Sequence, residues 1–502
     1  MIVMKFGGAS LASSASIKRV TSIVLSQVHH NPVVVVSALG DTTDRLIEIL
    51  GYASRAESYL AWKAQEDLKN YHFCVAEDLL LTGRIESVDS YIRQVFRDLH
   101  VRMLEVCEGE RTVTPELRDW TLSLGEDLAS RIVTAALQSA GMGASDMDAR
   151  KLILTDERFT DAEPRYWETY VRIRWALPIS VPRPVVVLGG FIGATEDGRT
   201  TTLGRGGSDL TASLVGAALN AEEIQMWKDV DGVLTWDPKI QVGGYRIKYL
   251  SYREMADLAW AGATILHPDT IAPAQRLRIP VTIRNTFRPA AESTKIGIAQ
   301  RSGAGIVKSM ACKLNITLLE LRSPGAESKG VAGYSTHLEQ FRNKRGAAAS
   351  LVGMSEQALY LALDDTVRAS ELTFLLDECV QVHIRSRQAI ITLVGEGITD
   401  TNVVERLCAV LASTEGLILP NSVSSCAIRI AVPVEALLLY LETLRRAFFA
   451  EVDPEYFAIA APLIDKREYA EKTEAATSTP LSHRKPVFRG NAKPFGLPGV
   501  RA

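Results

Sequence analysis

Ile2-Val3-Met4-Lys5-Phe6-Gly7-Gly8 stands at the start of the chain, and the fold can be read outward from it. A short apolar run ending in two glycines, without polar alternation, suits a strand covered on both faces of a parallel sheet. Residues 14–29 then place Ile17, Val20, Ile23, Val24 and Val28 at helical spacing. A second unbroken run, Val33-Val34-Val35-Val36, ends in Ser37-Ala38-Leu39-Gly40, and another helical pattern starts at Thr43. Strand, helix, strand, helix implies an α/β sandwich. Residues 52–110 are charged and almost free of Gly and Pro, as an inserted helical hairpin would be. A helix is expected over 118–138, carrying Ser123-Leu124-Gly125-Glu126. Further sheet strands are expected at 151–154, 184–188, 224–227 and 280–284.

After Gly305 the pattern changes. Runs at 316–321, 359–363, 380–385, 389–394 and 427–432 read as strands, with helices at 334–344, 367–376, 401–412 and 434–446. Two α+β units account for this alternation. From about Asp465 the chain is rich in Lys, Arg, Pro, Ser and Thr, a composition that cannot bury enough apolar surface to order itself. The expected domains are 1–300, 308–378, 379–455 and a disordered tail 465–502.

The bulk numbers narrow the function classes. At 502 residues the chain exceeds one ordinary domain. A net charge of −3 carries no basic excess to argue for nucleic acid as a partner. No apolar stretch reaches the roughly 18–20 residues of a membrane span. The six cysteines are scattered without a CxxC pair, so no metal or disulfide spacing is present and a cytoplasmic setting is expected.

Four Gly-rich loops follow expected strands: at 5–10, 37–40, 189–193 and 204–209. Ligands of open α/β sheets sit beyond the carboxyl ends of the strands, where glycine lets backbone N–H groups approach anionic oxygens. No Walker A or GxGxxG sequence occurs. Lys5, an ammonium at a strand end, calls for an anion. Residues 200–209, Thr-Thr-Thr-Leu-Gly-Arg-Gly-Gly-Ser-Asp, pack hydroxyls, a guanidinium, glycines and a carboxylate together.

On five motifs in this order the chain resembles the aspartate kinases of the amino-acid kinase family: KFGG at 5–8, SLGE at 123–126, TTTLGRGGSD at 200–209, WKDVDGVLTWDP at 227–238 and LHP at 266–268. The resemblance implies a three-layer αβα kinase domain followed by two ACT-like regulatory units. It implies transfer of the γ-phosphoryl of ATP, with Mg²⁺, to the side-chain carboxylate of L-aspartate. The product, 4-phospho-L-aspartate, would be the first step towards lysine, threonine and methionine. By the same resemblance Lys5 contacts the transferring phosphate and Asp209 organises it. Thr43, Glu126, Arg205 and Ser208 hold aspartate, with Glu126 on its ammonium and Arg205 on a carboxylate. Gly7, Gly8, Lys228, Asp229, Asp237 and Thr264 line the ATP site. No protein metal cage is implied, since Mg²⁺ would ride on phosphate oxygens and water. Plainer readings stand beside these roles: Glu126 as a helix-N-terminal acid, Thr43 and Asp209 as N-caps.

The pattern departs from the family in places. Thr264 replaces a Lys that contacts ATP, Lys228 stands where Thr is usual, Leu234 replaces Tyr and Ala9 replaces Thr. Lys228 is expected to supply the missing charge. The C-terminal half resembles paired ACT units most weakly at its effector loop, 323–333, where lysine or threonine would bind. Family members are dimers or higher. Two rivals remain: a kinase with another acyl acceptor, and a degenerate kinase acting as an amino-acid effector-binding protein.

Overall fold

The computed structural model describes residues 1–80, 82–177, 184–237, 244–263, 265–266, 268–298, 305–322, 349–355, 358–364, 381–412, 416–420 and 426–459. Thr264, Pro238, the loop 323–333, the helices expected at 334–344 and 367–376, and the tail 465–502 lie outside them.

Strands β1 (Ile2–Phe6), β2 (Val33–Val36), β3 (Ala144–Met147), β4 (Val185–Gly189), β7 (Glu223–Lys228), β9 (Tyr249–Ser251), β10 (Val281–Asn285) and β11 (Thr294–Gly297) form one sheet. Its order is β3-β4-β2-β1-β7-β10-β11-β9. Pairing is parallel from β3 to β10, and β11 then reverses. The apolar runs divide between two cores by alternate residues. Val3, Val33, Val35, Val187's neighbour Leu188, and Met226 join one; Met4, Phe6, Val34, Val36, Val187 and Trp227 join the other. A period of two with both faces apolar is the reason the runs show no polar alternation.

One face is covered by α1 (Ser14–Ser26), α2 (Thr42–Ser54), α3 (Ser58–Leu79), α4 (Thr82–Cys107) and α5 (Pro115–Ser139). The pair α3 and α4 is the expected inserted hairpin. The long α5 starts where Thr114 accepts from the Leu117 amide, with Pro115 at the first helical position. The other face carries α6 (Tyr166–Ala176), α7 (Gly207–Leu219), α8 (Tyr252–Trp260) and α9 (Pro268–Arg276). A short hairpin, β5 (Ile192–Ala194) with β6 (Thr200–Thr202), and the strand β8 (Tyr245–Ile247) stand outside the sheet.

Residues 151–154 do not form the strand expected there. Ala149–Lys151 is a 3-10 turn, and Leu154 makes only an isolated bridge to Ala194. The edge strand is instead β3, Ala-Ser-Asp-Met, half-buried throughout. An edge strand needs no apolar run, so its composition carried no strand signal.

The C-terminal sheet has the order β13 (Ala349–Met354), β14 (Ala358–Asp364), β12 (Ser309–Arg322), β15 (Gln381–Val394), β17 (Ala427–Pro433), β16 (Leu417–Leu419). The strands expected at 380–385 and 389–394 are one strand, β15. The β12 and β15 ribbon runs through both α+β units. Its Ile316–Arg322 half pairs with Gln381–Gln388 beside β14, and its Ser309–Lys313 half pairs with Ile390–Val394 beside β17. Asn315 (φ 54°) and Arg387 (φ 56°) sit at the junction in left-handed conformation, where the register shifts. The sheet pairing therefore does not divide at 378/379. The second unit takes its strand Ser309–Lys313 from before the first.

The two sheets meet at α8. Ser251 and Glu254 form a capping box at its start. Glu254 also holds Lys308 at 2.9 Å and accepts from the Glu396 amide at 2.8 Å. Lys308 is 2% and Glu254 0% exposed at the side chain, so neither charge has water to fall back on. Arg429 lies 4.0 Å over the Trp260 ring and 3.7 Å from Asp257. Lys308→Met should strand the Glu254 carboxylate and lower stability by about 3 kcal/mol. Urea denaturation measures this, and Lys308→Met with Glu254→Gln should recover part of the loss.

Candidate active site

Register aligns the carboxyl ends of five strands. Phe6 lies opposite Val36 and Trp227, Val36 opposite Gly189, and Lys228 opposite Asn285. The loops beyond them interlock through backbone hydrogen bonds: Gly7 N to Trp227 O at 3.2 Å, Gly40 N to Gly8 O at 3.1 Å and Gly190 N to Val36 O at 2.8 Å. Two glycines are dictated by close approach. A Cβ on Gly8 would lie 2.9 Å from the Gly40 carbonyl, and one on Gly190 would lie 2.6 Å from the Ser208 Cβ. The loops at 5–10, 37–40, 189–193 and 204–209 thus form one floor.

On that floor Lys5 and Lys228 share one carboxylate. Lys5 Nζ is 2.7 Å from Asp209 Oδ1 and Lys228 Nζ is 3.0 Å from Asp209 Oδ2, with side-chain exposures of 7%, 18% and 7% for Lys5, Lys228 and Asp209. Both lysines lie on the sheet face packed by α7, and Asp209 is in the first turn of that helix. The helix N-cap is Gly206, so Asp209 is not a capping residue. Burial alone would raise the Asp209 carboxyl, but Lys228 and Lys5 outweigh it and hold it down at about 2. Burial lowers the Lys5 ammonium, and Asp209 opposes that shift. Two ammonium groups and one carboxylate leave a net positive charge beside the α7 N-terminus, an arrangement suited to an anion.

Glu126 faces the same strand ends from α5 and is 4% exposed. Burial pushes its carboxyl up to about 8, against the opposing pull of the Ala38 amide. Because α5 begins at Pro115, Glu126 sits well inside the helix, and the helix-dipole reading of this acid falls. Thr43 is half-buried in the first turn of α2, behind Asp41 at the N-cap position, so its own N-cap reading also falls. Ser208 is buried and Arg205 exposed at the α7 entrance.

The three threonines of 200–202 serve as anchors. Thr200 Oγ1 accepts from Arg150 at 2.9 Å, Thr201 bonds the Thr155 hydroxyl at 2.7 Å, and Thr202 donates by its hydroxyl and amide to Asp119. Arg150 also binds Asp127 at 2.7 Å and Ser123 at 2.8 Å. Asp119, Asp127 and Arg150 therefore clamp the β5–β6 hairpin onto α5. Sequence reading missed them, although a charged Asp119 two positions from the apolar Leu117 and Thr121-Leu122 run was a signal.

Beyond Lys228 the loop 229–237 exposes Asp229 and Asp237. Asp231 is instead tied to Asn285 Nδ2 at 2.7 Å and to Arg288. Gly7 and Gly8 border the Lys5 end of the same floor.

Residues 1–285 match the amino acid kinase family, and the chain belongs to it. Among its relatives is aspartokinase 2, chloroplastic, of Arabidopsis thaliana, 31% identical over 90% of this chain and 85% of that protein. The lysine-sensitive aspartokinase 3 of Escherichia coli K12 is 29% identical over 84% of this chain and 92% of its own. The structure of E. coli aspartokinase III with aspartate and ADP, in the R-state, superposes with a TM-score of 0.75 at 27% identity, covering 89% of this chain and all of that one (100%). Within the family, the chain stands with the aspartokinases. No helix among the described residues is long and apolar enough to cross a membrane.

The raised Glu126 carboxyl sets a pH dependence. Its folded-state value near 8 exceeds the unfolded 4.5, so its contribution favours the folded state at low pH and is lost as pH rises from about 4.5 to about 8. In thermal melts without substrate, Glu126→Gln should flatten the decline in stability between pH 6 and pH 8.5.

Proposed function

We propose that the chain uses the Lys5–Asp209–Lys228 cluster to move the γ-phosphoryl of ATP to the side-chain carboxylate of L-aspartate. The observation that carries this reading is the buried Lys5 and the partly buried Lys228 on one carboxylate, facing Glu126 across the same strand ends. The nucleophile is a carboxylate with an ordinary value near 4, ionised at neutral pH, so no general base is required. A carboxylate oxygen of aspartate bonds to the γ-phosphorus while the bond to the β,γ-bridging oxygen breaks. ADP and 4-phospho-L-aspartate result. Catalysis then reduces to alignment and charge neutralisation. Lys5 and Lys228 offset the charge on the transferring group, and Asp209 fixes their positions.

Glu126, as a carboxylate, takes the substrate ammonium, whose arrival lowers its affinity for a proton. Thr43, Arg205 and Ser208 surround the rest of aspartate, with Arg205 suited to bidentate contact with a carboxylate. Gly7, Gly8, Asp229, Asp237 and Thr264 complete the ATP side. Mg²⁺, when bound with the nucleotide, would supply neutralisation of phosphate charge. With Asp209 engaged by two lysines, that carboxylate is not free to serve as a metal ligand, which suits a metal held mainly by phosphates and water.

An amino-acid effector, lysine or threonine, is proposed for the ACT-like units. The T-state structure of E. coli aspartokinase III contains lysine and aspartate and superposes with a TM-score of 0.71 at 28% identity. A homodimer or larger assembly and a cytoplasmic setting belong to the same reading.

A hydroxamate assay with L-aspartate, ATP and Mg²⁺ tests the reaction. Lys5→Ala should lower turnover about a hundredfold or more. Lys228→Ala should raise the ATP KM about tenfold, the effect of roughly 1.4 kcal/mol. Unchanged ATP kinetics in Lys228→Ala would remove that residue from the ATP site. Absence of aspartyl hydroxamate at saturating ATP would sink the aspartate reading.

A further inference from the structure

The loop 229–237 makes close contacts with residues far beyond the 1–285 segment that matches the family. Its Leu234 and Thr235 carbonyls both accept from the Ser309 hydroxyl at 3.1 Å, and the Thr235 carbonyl also accepts from the Met310 amide at 2.7 Å. Ser309 and Met310 begin β12, the ribbon strand of the C-terminal sheet, and Ser309 is 3% exposed. On its opposite edge the loop is hydrogen-bonded to β8, through Thr235 N to Tyr245 O and Ile247 N to Val233 O, both at 2.9 Å.

The β8 strand is in turn paired antiparallel with β18 (Phe457–Ile459), the last described strand. The loop's only tryptophan, Trp236, packs edge-on against Phe449 with ring centroids 5.5 Å apart, and Phe449 packs edge-on against Phe457 at 6.4 Å. All three rings are buried. The segment 233–236 is thus bounded by β8 and β12, with its indole anchored in the C-terminal half.

A loop that must present Asp229 and Asp237 to a nucleotide has two exposed ends and needs its middle fixed. Ordering it on ligand binding would otherwise cost conformational entropy at that moment. Here the middle is already fixed, by β8, β12 and the Phe449 ring. We infer that Ser309, Phe449 and Phe457 are positioning residues for the nucleotide loop, so that the C-terminal half sets the affinity for ATP while leaving aspartate binding and phosphoryl transfer alone. This rests on the reading of residues 228–237 as the ATP side of the site. Lys5, Asp209 and Glu126 are held by α5, α7 and the strand ends, outside these contacts.

The test is steady-state kinetics of the full-length chain carrying Ser309→Ala, Ser309→Thr, Phe449→Leu or Lys228→Ala, with ATP and aspartate varied separately and thermal melts alongside. Ser309→Ala and Phe449→Leu should each raise the ATP KM about fivefold, as loss of one hydrogen bond or of ring packing implies. The aspartate KM, and kcat at saturating ATP, should stay within about twofold of wild type. Ser309→Thr, which keeps the hydroxyl, should restore most of the ATP affinity. An ATP KM unchanged in Ser309→Ala and Phe449→Leu but raised in Lys228→Ala overturns the positioning role and leaves the loop reading intact. No change in any of the three overturns the loop reading itself. Parallel losses in both KM values, kcat and melting temperature would show a merely structural role and also overturn the inference.

Discussion

Everything at the strand ends depends on one electrostatic constraint: two ammonium groups, Lys5 and Lys228, are held in a nearly dry site by a single carboxylate. Removing two like charges from water is costly, and one Asp209 cannot neutralise both. The surplus positive charge is tolerable because the surrounding architecture is built against it. The two lysines lie on the same face of neighbouring strands, Lys228 two residues beyond the partner of Lys5, Asp209 comes from the first turn of α7, and the loop glycines let the backbone close in. A surplus of positive charge beside a helix N-terminus is a setting that favours anions. The buried Glu126 poses the converse problem. Burial pushes its carboxyl up to about 8, against the pull of the Ala38 amide.

The sheet explains why such a site is stable. Each core strand sends alternate side chains into two separate apolar layers. Lys5 and Lys228 interrupt the α7-side layer only at the strands' last turns of pleat, where the loops begin. The inserted hairpin of α3 and α4 extends the opposite layer, and its Tyr71 hydroxyl donates to the Ala12 carbonyl at 3.0 Å, beside the Gly8 loop. The polar clamp of Asp119, Asp127 and Arg150 does similar work for the hairpin that leads into α7.

Much of this was legible in the amino-acid order because the relevant signals are local. An apolar pentapeptide before Gly7-Gly8, the four valines of β2, and the spacing of α1 each follow from short-range rules. The five motifs named the family. What the sequence hid was either unpatterned or long-range. The edge strand β3 has no apolar run. The threonines at 200–202 carried no local sign of their anchors, since Thr202 bonds Asp119, 83 positions earlier in the chain. The plainer reading of Glu126 as a helix-start acid survived in the sequence because the helix begins further back, at Thr114-Pro115. The strand pairing of the C-terminal half was hidden for a topological reason, since a strand's partner cannot be read from its own composition, and β12 serves two units at once.

Residues 314–389 leave and re-enter the second α+β unit through adjacent positions, since Lys313 and Ile390 are directly paired. The first unit is therefore a cassette whose two ends meet. Removing it would leave the host unit a main-chain gap only one strand spacing wide, but would also uncover Ile390, Leu419 and Ala431, which share an apolar core with Ile316, Val352 and Tyr360.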